Sequence, residues 1–275
     1  YAADHKLGMQ VHLSETRSEH LECMARHGGK TPFAVLDDYG VWQNGGLAAH
    51  CVWVSQDDME GMVRRGVTAV HNPVSNLKLA SGVARVPEML ALGVPVGLAV
   101  DGSASNDGSS LMEELRVAYL LHRLHASKAA PSGYQVLKMA TRGSARLLGR
   151  ADIGQLAVGK CADLFLVDSR RLELVGSEFS PADVLATVGL RGPVDYTVVQ
   201  GRVVVKEGHL VTIDEATVAE DARRCCRDYL SRCARGGERM AIVTACVPAL
   251  CRTALERHGL TDCFEEIVFA QELGL

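Results

Sequence analysis

The stretch that decides the fold reads Val96-Gly97-Leu98-Ala99-Val100-Asp101-Gly102-Ser103-Ala104-Ser105-Asn106-Asp107. An apolar run of strand length ends on Asp101, small turn-forming residues follow, and a helical spacing of apolar residues begins at Leu111. In a parallel strand–helix unit, this order brings a carboxylate to the carboxyl end of the strand. The alternative is that Asp101 only caps the following helix. Whether other strands also end on reactive side chains distinguishes the two interpretations.

Three earlier apolar runs also end on side chains that can do chemistry. The first ends at His12 with Glu15 three residues later, the second at His50, and the third at His71 followed by Asn72. For the first of these, a helix cap followed by an acidic first turn is the alternative interpretation. Four strand ends that carry His, His, His and Asp in order nevertheless favour one shared site at the carboxyl ends of parallel strands.

The first 150 residues alternate strand and helix patterns throughout. Apolar spacing predicts amphipathic helices over Leu111–His125 and Gly133–Leu148, after a strand predicted over Val94–Val100. Because the reactive side chains fall only at strand ends, we predict a parallel α/β architecture that forms part of a (β/α)8 barrel.

Composition limits the classes of function that fit this chain. It has 275 residues, of which 47% are hydrophobic and 23% charged, with a formal net charge of -4. This balance predicts neither a nucleic-acid partner nor a membrane partner. The nine cysteines are odd in number and irregularly spaced, which favours reduced thiols and a cytoplasmic location over a secreted disulfide scaffold.

The pattern changes after residue 150. Residues 154–168 are predicted to form a turn and a strand, and residues 194–208 a hairpin that turns at Gln200-Gly201. A charged helix and a short linker follow, and a new strand–helix–strand pattern then begins at residue 239. We therefore divide the chain into residues 1–150, 151–212, 213–238 and 239–275.

With these residues identified, residues 1–232 resemble the C-terminal half of the amidohydrolase superfamily, in its purine and triazine deaminase branch. The motifs that carry the resemblance are His12-Leu13-Ser14-Glu15-Thr16, Ala49-His50-Cys51-Val52-Trp53, His71-Asn72-Pro73-Val74-Ser75-Asn76, Val100–Asp107, Asp152–Leu156 with Gly159–Leu164, and Val199–Val205. Among these enzymes the chain looks most similar to 8-oxoguanine deaminases. The resemblance implies strands five to eight of the barrel in residues 1–150 and part of a flanking β-sandwich in residues 151–212.

The resemblance also implies a role for each matching residue. It makes the chain a metal-dependent hydrolase that deaminates an aminopurine-like base, with Zn²⁺ or another divalent metal such as Fe²⁺ as its cofactor. The implied metal ligands are His12 and Asp101. The implied catalytic residues are Glu15 as proton shuttle, His50 as the residue that orients the attacking hydroxide, and Asp101 as proton acceptor. The implied substrate-binding residues are His71, Asn72 and Trp53.

One departure from the family pattern bears on activity. The family begins its barrel with a His-x-His pair that supplies two metal ligands, and this sequence contains no His-x-His. We therefore expect the metal site to be incomplete in this chain, and the isolated chain to be inactive unless oligomerisation, for example as a homo-oligomer, completes the site. Two alternatives stay open: a hydrolase of amino or chloro substituents on a triazine, and a non-catalytic truncated fusion product.

Residues 239–275 resemble a second family, the haloacid-dehalogenase-like hydrolases. The match begins at Met240-Ala241-Ile242-Val243-Thr244, where the resemblance implies that Thr244 binds a phosphoryl group. The nucleophilic Asp motif, the catalytic Lys and the acidic metal-binding motif of that family are missing. The expectation is therefore a truncated, Rossmann-like α/β fragment with a vestigial phosphate site, and the alternative is an ordinary βαβ extension of the preceding domain.

Overall fold

The computed structural model describes residues 1–2, 4–244 and 248–269, and the chain divides into two compact units, Tyr1–Gly208 and His209–Leu275. A parallel sheet dominates the first unit. Its strands are β1 (Met9–Leu13), β2 (Gly46–His50), β3 (Val67–His71) and β4 (Val96–Leu98), and each pairs in parallel with the next one along the chain. The carboxyl ends of all four strands therefore lie along one edge of the sheet, as the sequence predicts.

Helices follow each strand of this sheet. They are α1 (Arg17–Arg26) and α2 (Pro32–Asp38) after β1, α3 (Gln56–Arg65) after β2, α4 (Pro73–Lys78) and α5 (Val86–Leu92) after β3, and α6 (Ser103–Asn106), α7 (Leu111–Ala126), α8 (Gly133–Lys138) and α9 (Ser144–Leu147) after β4. Reciprocal capping boxes start three of them, Thr16 with Glu19 at α1, Ser55 with Asp58 at α3 and Ser132 with Gln135 at α8. Local side-chain chemistry thus starts α1 and α3 directly after a strand.

The core of the first unit lies between the parallel sheet and its helices. Its most deeply buried apolar side chains are Leu13, Trp42, Val54, Met59, Met62, Val67, Val86, Met89, Leu98 and Leu115. Strands β2, β3 and β4 are mostly buried. A sheet that is covered on both faces explains why these strands are near-continuous apolar runs rather than alternating ones.

Strand β4 is shorter than the predicted strand over Val94–Val100. It ends at Leu98, although the backbone N–H of Ala99 still donates to the His71 carbonyl at 3.0 Å. The backbone then turns, and Asp101 adopts a φ of 63°. The carboxylate therefore follows the strand end by three residues instead of closing the strand.

The helix predicted over Gly133–Leu148 contains a π-helical stretch, Met139–Gly143, between α8 and α9. A Cβ atom on Gly143 would collide with the Val96 carbonyl, and one on Gly97 would collide with the Leu147 side chain. These two glycines let the helical segment lie directly against β4.

A smaller antiparallel sheet forms the later part of the first unit. Its strands are β5 (Leu164–Leu166), β6 (Tyr196–Val199) and β7 (Arg202–Lys206), with the short helix α10 (Val184–Thr187) between β5 and β6. The hairpin between β6 and β7 turns at Gln200-Gly201, as predicted, and both of these residues have positive φ.

The second unit contains β8 (His209–Leu210), α11 (Glu215–Arg235), β9 (Ala241–Thr244), α12 (Pro248–Arg257) and β10 (Glu266–Phe269). Strands β9 and β10 pair in parallel, and α12 lies between them in the sequence. The predicted strand–helix–strand order is therefore present. Thr244 closes β9, and its side chain, with the phosphate-binding role predicted for it, lies outside the described residues. Among the described helices of the chain, none has the length and apolar character needed to cross a bilayer.

Candidate metal centre

Three potential metal ligands meet at the carboxyl edge of the parallel sheet. One ligand atom from each of His12, His50 and Asp101 lies within 4.8 Å of the other two. His12 and His50 come from the adjacent strands β1 and β2, and Asp101 follows β4. The convergence that the strand-end pattern predicts is therefore present, although 89 residues of sequence separate the first ligand from the last.

The backbone at this edge is held in an uncommon conformation. Ser14, His50, Cys51 and Asp101 have φ values of 48°, 71°, 50° and 63°. Left-handed backbone at a non-glycine residue is disfavoured by about 1–3 kcal/mol and persists where surrounding contacts enforce it. Such contacts link the ends of β1 and β2, because the Cys51 N–H donates to the Leu13 carbonyl at 3.1 Å.

The His50 imidazole is buried, and its surroundings determine which nitrogen carries a proton. Nδ1 lies 2.8 Å from the side-chain oxygen of Asn76 on α4. An amide oxygen can only accept, so with the Asn76 side chain in this orientation Nδ1 carries the proton of that hydrogen bond. Nε2 lies on the side of the ring that faces Glu15 and Asp101, 3.7 and 3.9 Å from their carboxylate oxygens.

The Asp101 carboxylate is oriented by two hydroxyl groups. Its Oδ2 accepts hydrogen bonds from Ser75 Oγ at 2.7 Å and from Ser105 Oγ at 3.0 Å. Partial burial raises the pKa of this carboxyl, but the hydrogen bonds from Ser75, Ser105 and the Gly102 backbone outweigh burial and bring the pKa below its ordinary value. Asp101 is thereby kept ionised and directed at the cluster.

Glu15 lies at the rim of the cluster and is also held in place. Its Oε1 accepts a hydrogen bond from Ser81 Oγ at 3.2 Å, and the Ser81 carbonyl accepts one from the Trp53 indole at 2.8 Å. The side chain of Glu15 is 23% exposed, so solvent reaches it. Ser81 thus links the predicted proton shuttle to Trp53, one of the predicted substrate-binding residues.

The other two predicted substrate-binding residues, His71 and Asn72, are buried. His71 Nε2 lies 3.0 Å from Nε2 of His122 on α7, and burial first, then the neighbouring imidazoles, holds the pKa of His71 well below its usual range. Burial likewise lowers the pKa of His122 to about 4. When the side-chain amide of Asn72 is turned so that its NH₂ group faces hydrogen-bond acceptors, it donates to the carbonyls of Ala99 and His71. Their predicted contact with substrate remains a prediction.

Sequence reasoning did not identify the polar residues around the site side chains. Ser75 and Ser105 bind Asp101, Asn76 binds His50, Ser81 binds Glu15, and Glu114 and His122 are buried on α7. A signal existed for two of them, because Glu114 and His122 share the buried face of α7 with Ala118, where apolar residues are the norm. The residues after β3 form α4, whose Ser75 and Asn76 side chains contact Asp101 and His50.

The cluster fits a divalent cation by the type of its donors. Two imidazoles and one carboxylate are ligands that zinc accepts in catalytic sites, where three protein groups leave one position open. The orientation of the donors is supported as well, since Asn76 holds the His50 ring and two serines hold Asp101.

Comparison with known proteins identifies similar chains. A family model described as the amidohydrolase family matches residues 1–204. The 5-methylthioadenosine/S-adenosylhomocysteine deaminase of Desulforudis audaxviator is 42% identical over 224 residues, which cover 80% of this chain and 51% of that protein.

Two solved structures are similar at 31% identity with a TM-score of 0.75 each. One is an adenosine deaminase from Xanthomonas campestris with bound zinc, matched over 81% of this chain and 51% of the other. The second is an atrazine chlorohydrolase from Arthrobacter aurescens in complex with zinc, matched over 80% of this chain and 49% of the other. This chain therefore spans about half the length of the relatives it matches.

Proposed function

The chain belongs to the amidohydrolase family, and on that basis we propose that it carries catalytic residues of a metal-dependent hydrolytic deaminase acting on a purine-like base. The observation that carries the proposal is the meeting of His12, His50 and Asp101 within 4.8 Å at one edge of a parallel sheet. Glu15 lies beside them, 3.7 Å from His50. A base, an acid and metal-binding groups thus share one side of the sheet.

We further propose that β1 to β4 correspond to strands five to eight of a (β/α)8 barrel. Their parallel pairing in sequence order, with a helical segment after each strand, supports this correspondence. The TM-scores of 0.75 over about half of each solved relative support it as well. In this proposal, the antiparallel sheet of β5, β6 and β7 belongs to a β-sandwich that flanks the barrel.

His12 and Asp101 are the residues that would hold the cation in this proposal, and His50, the third group of the cluster, orients the attacking water instead. Zinc is favoured because both solved relatives described above contain it. When bound, such a cation supplies a Lewis acid that lowers the pKa of a water molecule. The distances from His50 Nε2 to the two carboxylates, 3.7 and 3.9 Å, are too long for direct hydrogen bonds.

The residues of this chain then divide the proton transfers between them. Asp101, kept ionised by its serine partners, accepts a proton from the attacking water. His50 orients that water through Nε2, because its Nδ1 is committed to Asn76. Glu15, which is partly exposed and held by Ser81, donates a proton to the ring nitrogen next to the carbon that bears the amino group. The ring carbon gains the hydroxyl, and the proton held by Asp101 passes to the amino group, which leaves as ammonia. The hydroxyl proton then returns to Glu15 as the carbonyl of the product forms.

A triazine substrate is the second candidate. The atrazine chlorohydrolase matches this chain with the same identity and TM-score as the adenosine deaminase, so the fold and site favour neither ring. An 8-oxoguanine substrate, which the sequence suggested, is not among the substrates in the names of the relatives described above. It remains a more specific form of the same proposal.

Metal binding and substrate turnover together test the proposal. The purified chain, titrated with Co²⁺ as a spectroscopic substitute for Zn²⁺, is expected to bind one cation per chain, and His12→Ala is expected to abolish that binding. His27→Ala, an exposed histidine on the same strand–helix unit, is the matched control. Binding that is unchanged in His12→Ala would overturn the proposed centre.

Ammonia release from the zinc-loaded chain, which the missing His-x-His pair makes conditional on an oligomer that completes the site, then separates the candidate substrates. The panel contains 5'-methylthioadenosine, adenosine, guanine, 8-oxoguanine and an aminotriazine. Release from one or more of the purines supports the deaminase, and turnover of the triazine alone supports the second candidate. Turnover that persists undiminished in Glu15→Gln would overturn the proposed role of Glu15.

A further inference from the structure

Glu114 on α7 is a fully buried carboxylate that the proposed reaction does not use. Its relative exposure is 0%, and glutamate is rarely buried to this extent without partners. Its Oε2 accepts the backbone N–H of Val74 at 3.1 Å, and its Oε1 accepts the side-chain amide of Asn106. Both partners are neutral donors, so an ion pair does not explain the burial of this carboxylate.

Each partner of Glu114 belongs to a different short helix at the site. Val74 lies in the first turn of α4, and Asn106 is the last residue of α6. The start of α4 has no other side-chain cap, because Asn72 makes no capping hydrogen bond and Pro73 has no N–H to offer. Glu114 therefore caps α4 from a neighbouring helix.

These two short helices carry the side chains that orient the cluster. Ser75 and Asn76, which directly follow Val74, bind Asp101 and His50, and Ser105 of α6 binds Asp101. A shift of α4 at Val74 would be transmitted within two residues to both contacts. Lys78 also joins the two helices, since its Nζ lies 2.9 Å from the Ala104 carbonyl.

We propose that Glu114 is a positioning residue, which fixes α4 and α6 so that Ser75, Asn76 and Ser105 hold His50 and Asp101 in one geometry. Its link to metal binding and turnover rests on the proposed function. Its link to the state of the His50 ring does not, because the contact between His50 and Asn76 can be measured in the metal-free chain. The two links can therefore be tested separately.

The experiment compares Glu114→Ala and Glu114→Gln with Glu113→Gln. Glu113 is the matched control because it is the exposed neighbour on the same turn of α7. In the metal-free chain, ¹⁵N NMR of His50 above the ordinary imidazole titration range is expected to show a slowly exchanging Nδ1–H. Glu114→Ala should mix the two ring tautomers and speed exchange of that proton, whereas Glu113→Gln should leave both unchanged.

The glutamine variant distinguishes positioning from a general loss of stability. Its amide oxygen can still accept from Val74, but its NH₂ group faces the Asn106 amide, so Glu114→Gln should retain the Nδ1–H tautomer with faster exchange. Titration with Co²⁺ should give an affinity lower by about 10–100-fold in Glu114→Ala, as for residues that orient metal ligands, with an altered absorption spectrum of the bound Co²⁺. Thermal unfolding of every variant shows whether it is folded.

The outcomes are distinct for the two proposals. If the wild-type chain binds no Co²⁺, the proposed function fails and the NMR comparison still decides the role of Glu114. A folded Glu114→Ala with wild-type His50 tautomer and exchange would overturn the positioning role. If Glu114→Ala does not fold, Glu114→Gln decides: exchange equal to that of Glu113→Gln overturns the role, and faster exchange supports it.

Discussion

The two sheets of the first unit use their carboxylates in different ways. In the antiparallel sheet, Asp163 accepts the Gln200 N–H at 2.7 Å, and Asp195 accepts the Asp168 N–H at 2.7 Å. These carboxylates bind backbone donors, and Asp195 also forms an ion pair with Arg171 at 3.0 Å. In the parallel sheet, Glu15 and Asp101 are held by serine hydroxyls and face a shared centre with two imidazoles.

The direction of the strands explains the difference. Parallel strands end at the same edge, so polar side chains from several strand ends collect there, whereas antiparallel strands end at alternate edges and place fewer side chains together. Burial follows the same division, since every residue of β5, β6 and β7 is half-buried or exposed and β2 to β4 are mostly buried. Glu15, Asp101, Asp163 and Asp195 thus differ in role according to the sheet whose strands they adjoin.

The largest effect is expected from neutralising one carboxylate in each sheet. Asp101→Asn should weaken Co²⁺ or Zn²⁺ binding by about 10²–10³-fold, since one ligand supplies about a quarter of the binding free energy of a four-ligand site. Asp195→Asn should leave metal affinity unchanged and lower the free energy of unfolding by about 1–3 kcal/mol, because it loses a charge-assisted hydrogen bond. Calorimetric titration and urea unfolding measure both quantities. Equal metal affinities in the two variants would break the comparison.

Replacing a glycine by alanine should destabilise the protein for a different reason in each sheet. Gly143 approaches the Val96 carbonyl with an ordinary helical φ of -63°, so Gly143→Ala introduces a collision and should cost about 2–3 kcal/mol of unfolding free energy. Gly201 has open space but a φ of 77°, so Gly201→Ala introduces only backbone strain, about 1 kcal/mol. Urea unfolding tests the order. A larger loss in Gly201→Ala would show that the contact with β4 relaxes freely.

Acid should destabilise the parallel-sheet region through its buried histidines. The folded state holds the pKa of His122 at about 4 and the unfolded chain restores it to about 6.5, so the unfolded state binds the proton first as pH falls. The contribution of His122 is thus complete above pH 6.5, and about 2 kcal/mol of it should be lost by pH 5. Urea unfolding at several pH values measures this slope.

Two histidine variants, one at a buried and one at an exposed position, test whether His122 causes this loss of stability. His122→Gln should flatten the slope between pH 6.5 and 5, and His27→Gln, at an exposed histidine, should leave it unchanged. His71 contributes in the same direction, because its pKa is also lowered by burial. A slope that persists in full in His122→Gln would assign the acid sensitivity to other groups.

The smallest effect is expected when Glu15 is neutralised and metal binding is measured. Glu15 lies outside the group of three ligands, so Glu15→Gln removes only a nearby charge, which through water contributes about 1 kcal/mol, or about fivefold in affinity. Glu22→Gln, at an exposed residue of α1, is the control. A loss of metal in Glu15→Gln as large as that in Asp101→Asn would make Glu15 a ligand.

Much of the architecture could be predicted because local patterns carry it. The apolar runs that end at His12, His50 and His71 are strands, and the hairpin turns at Gln200-Gly201. Two boundaries were less accurate. Strand β4 ends at Leu98, and the helix after residue 133 contains a π-helical stretch, since contacts between β4 and that helix decide both.

The sequence by itself determined which residues stand at the ends of the strands, because strand periodicity and turn chemistry are local properties of the chain. Parallel strand order was enough to predict that His12, His50 and Asp101 meet. Only the tertiary structure decided how these residues are held, because hydrogen bonds between α4, α6 and α7 depend on packing distances that no local pattern records. Glu114 and Asn76 act on the site from separate helices, and their contacts exist only once the chain has folded.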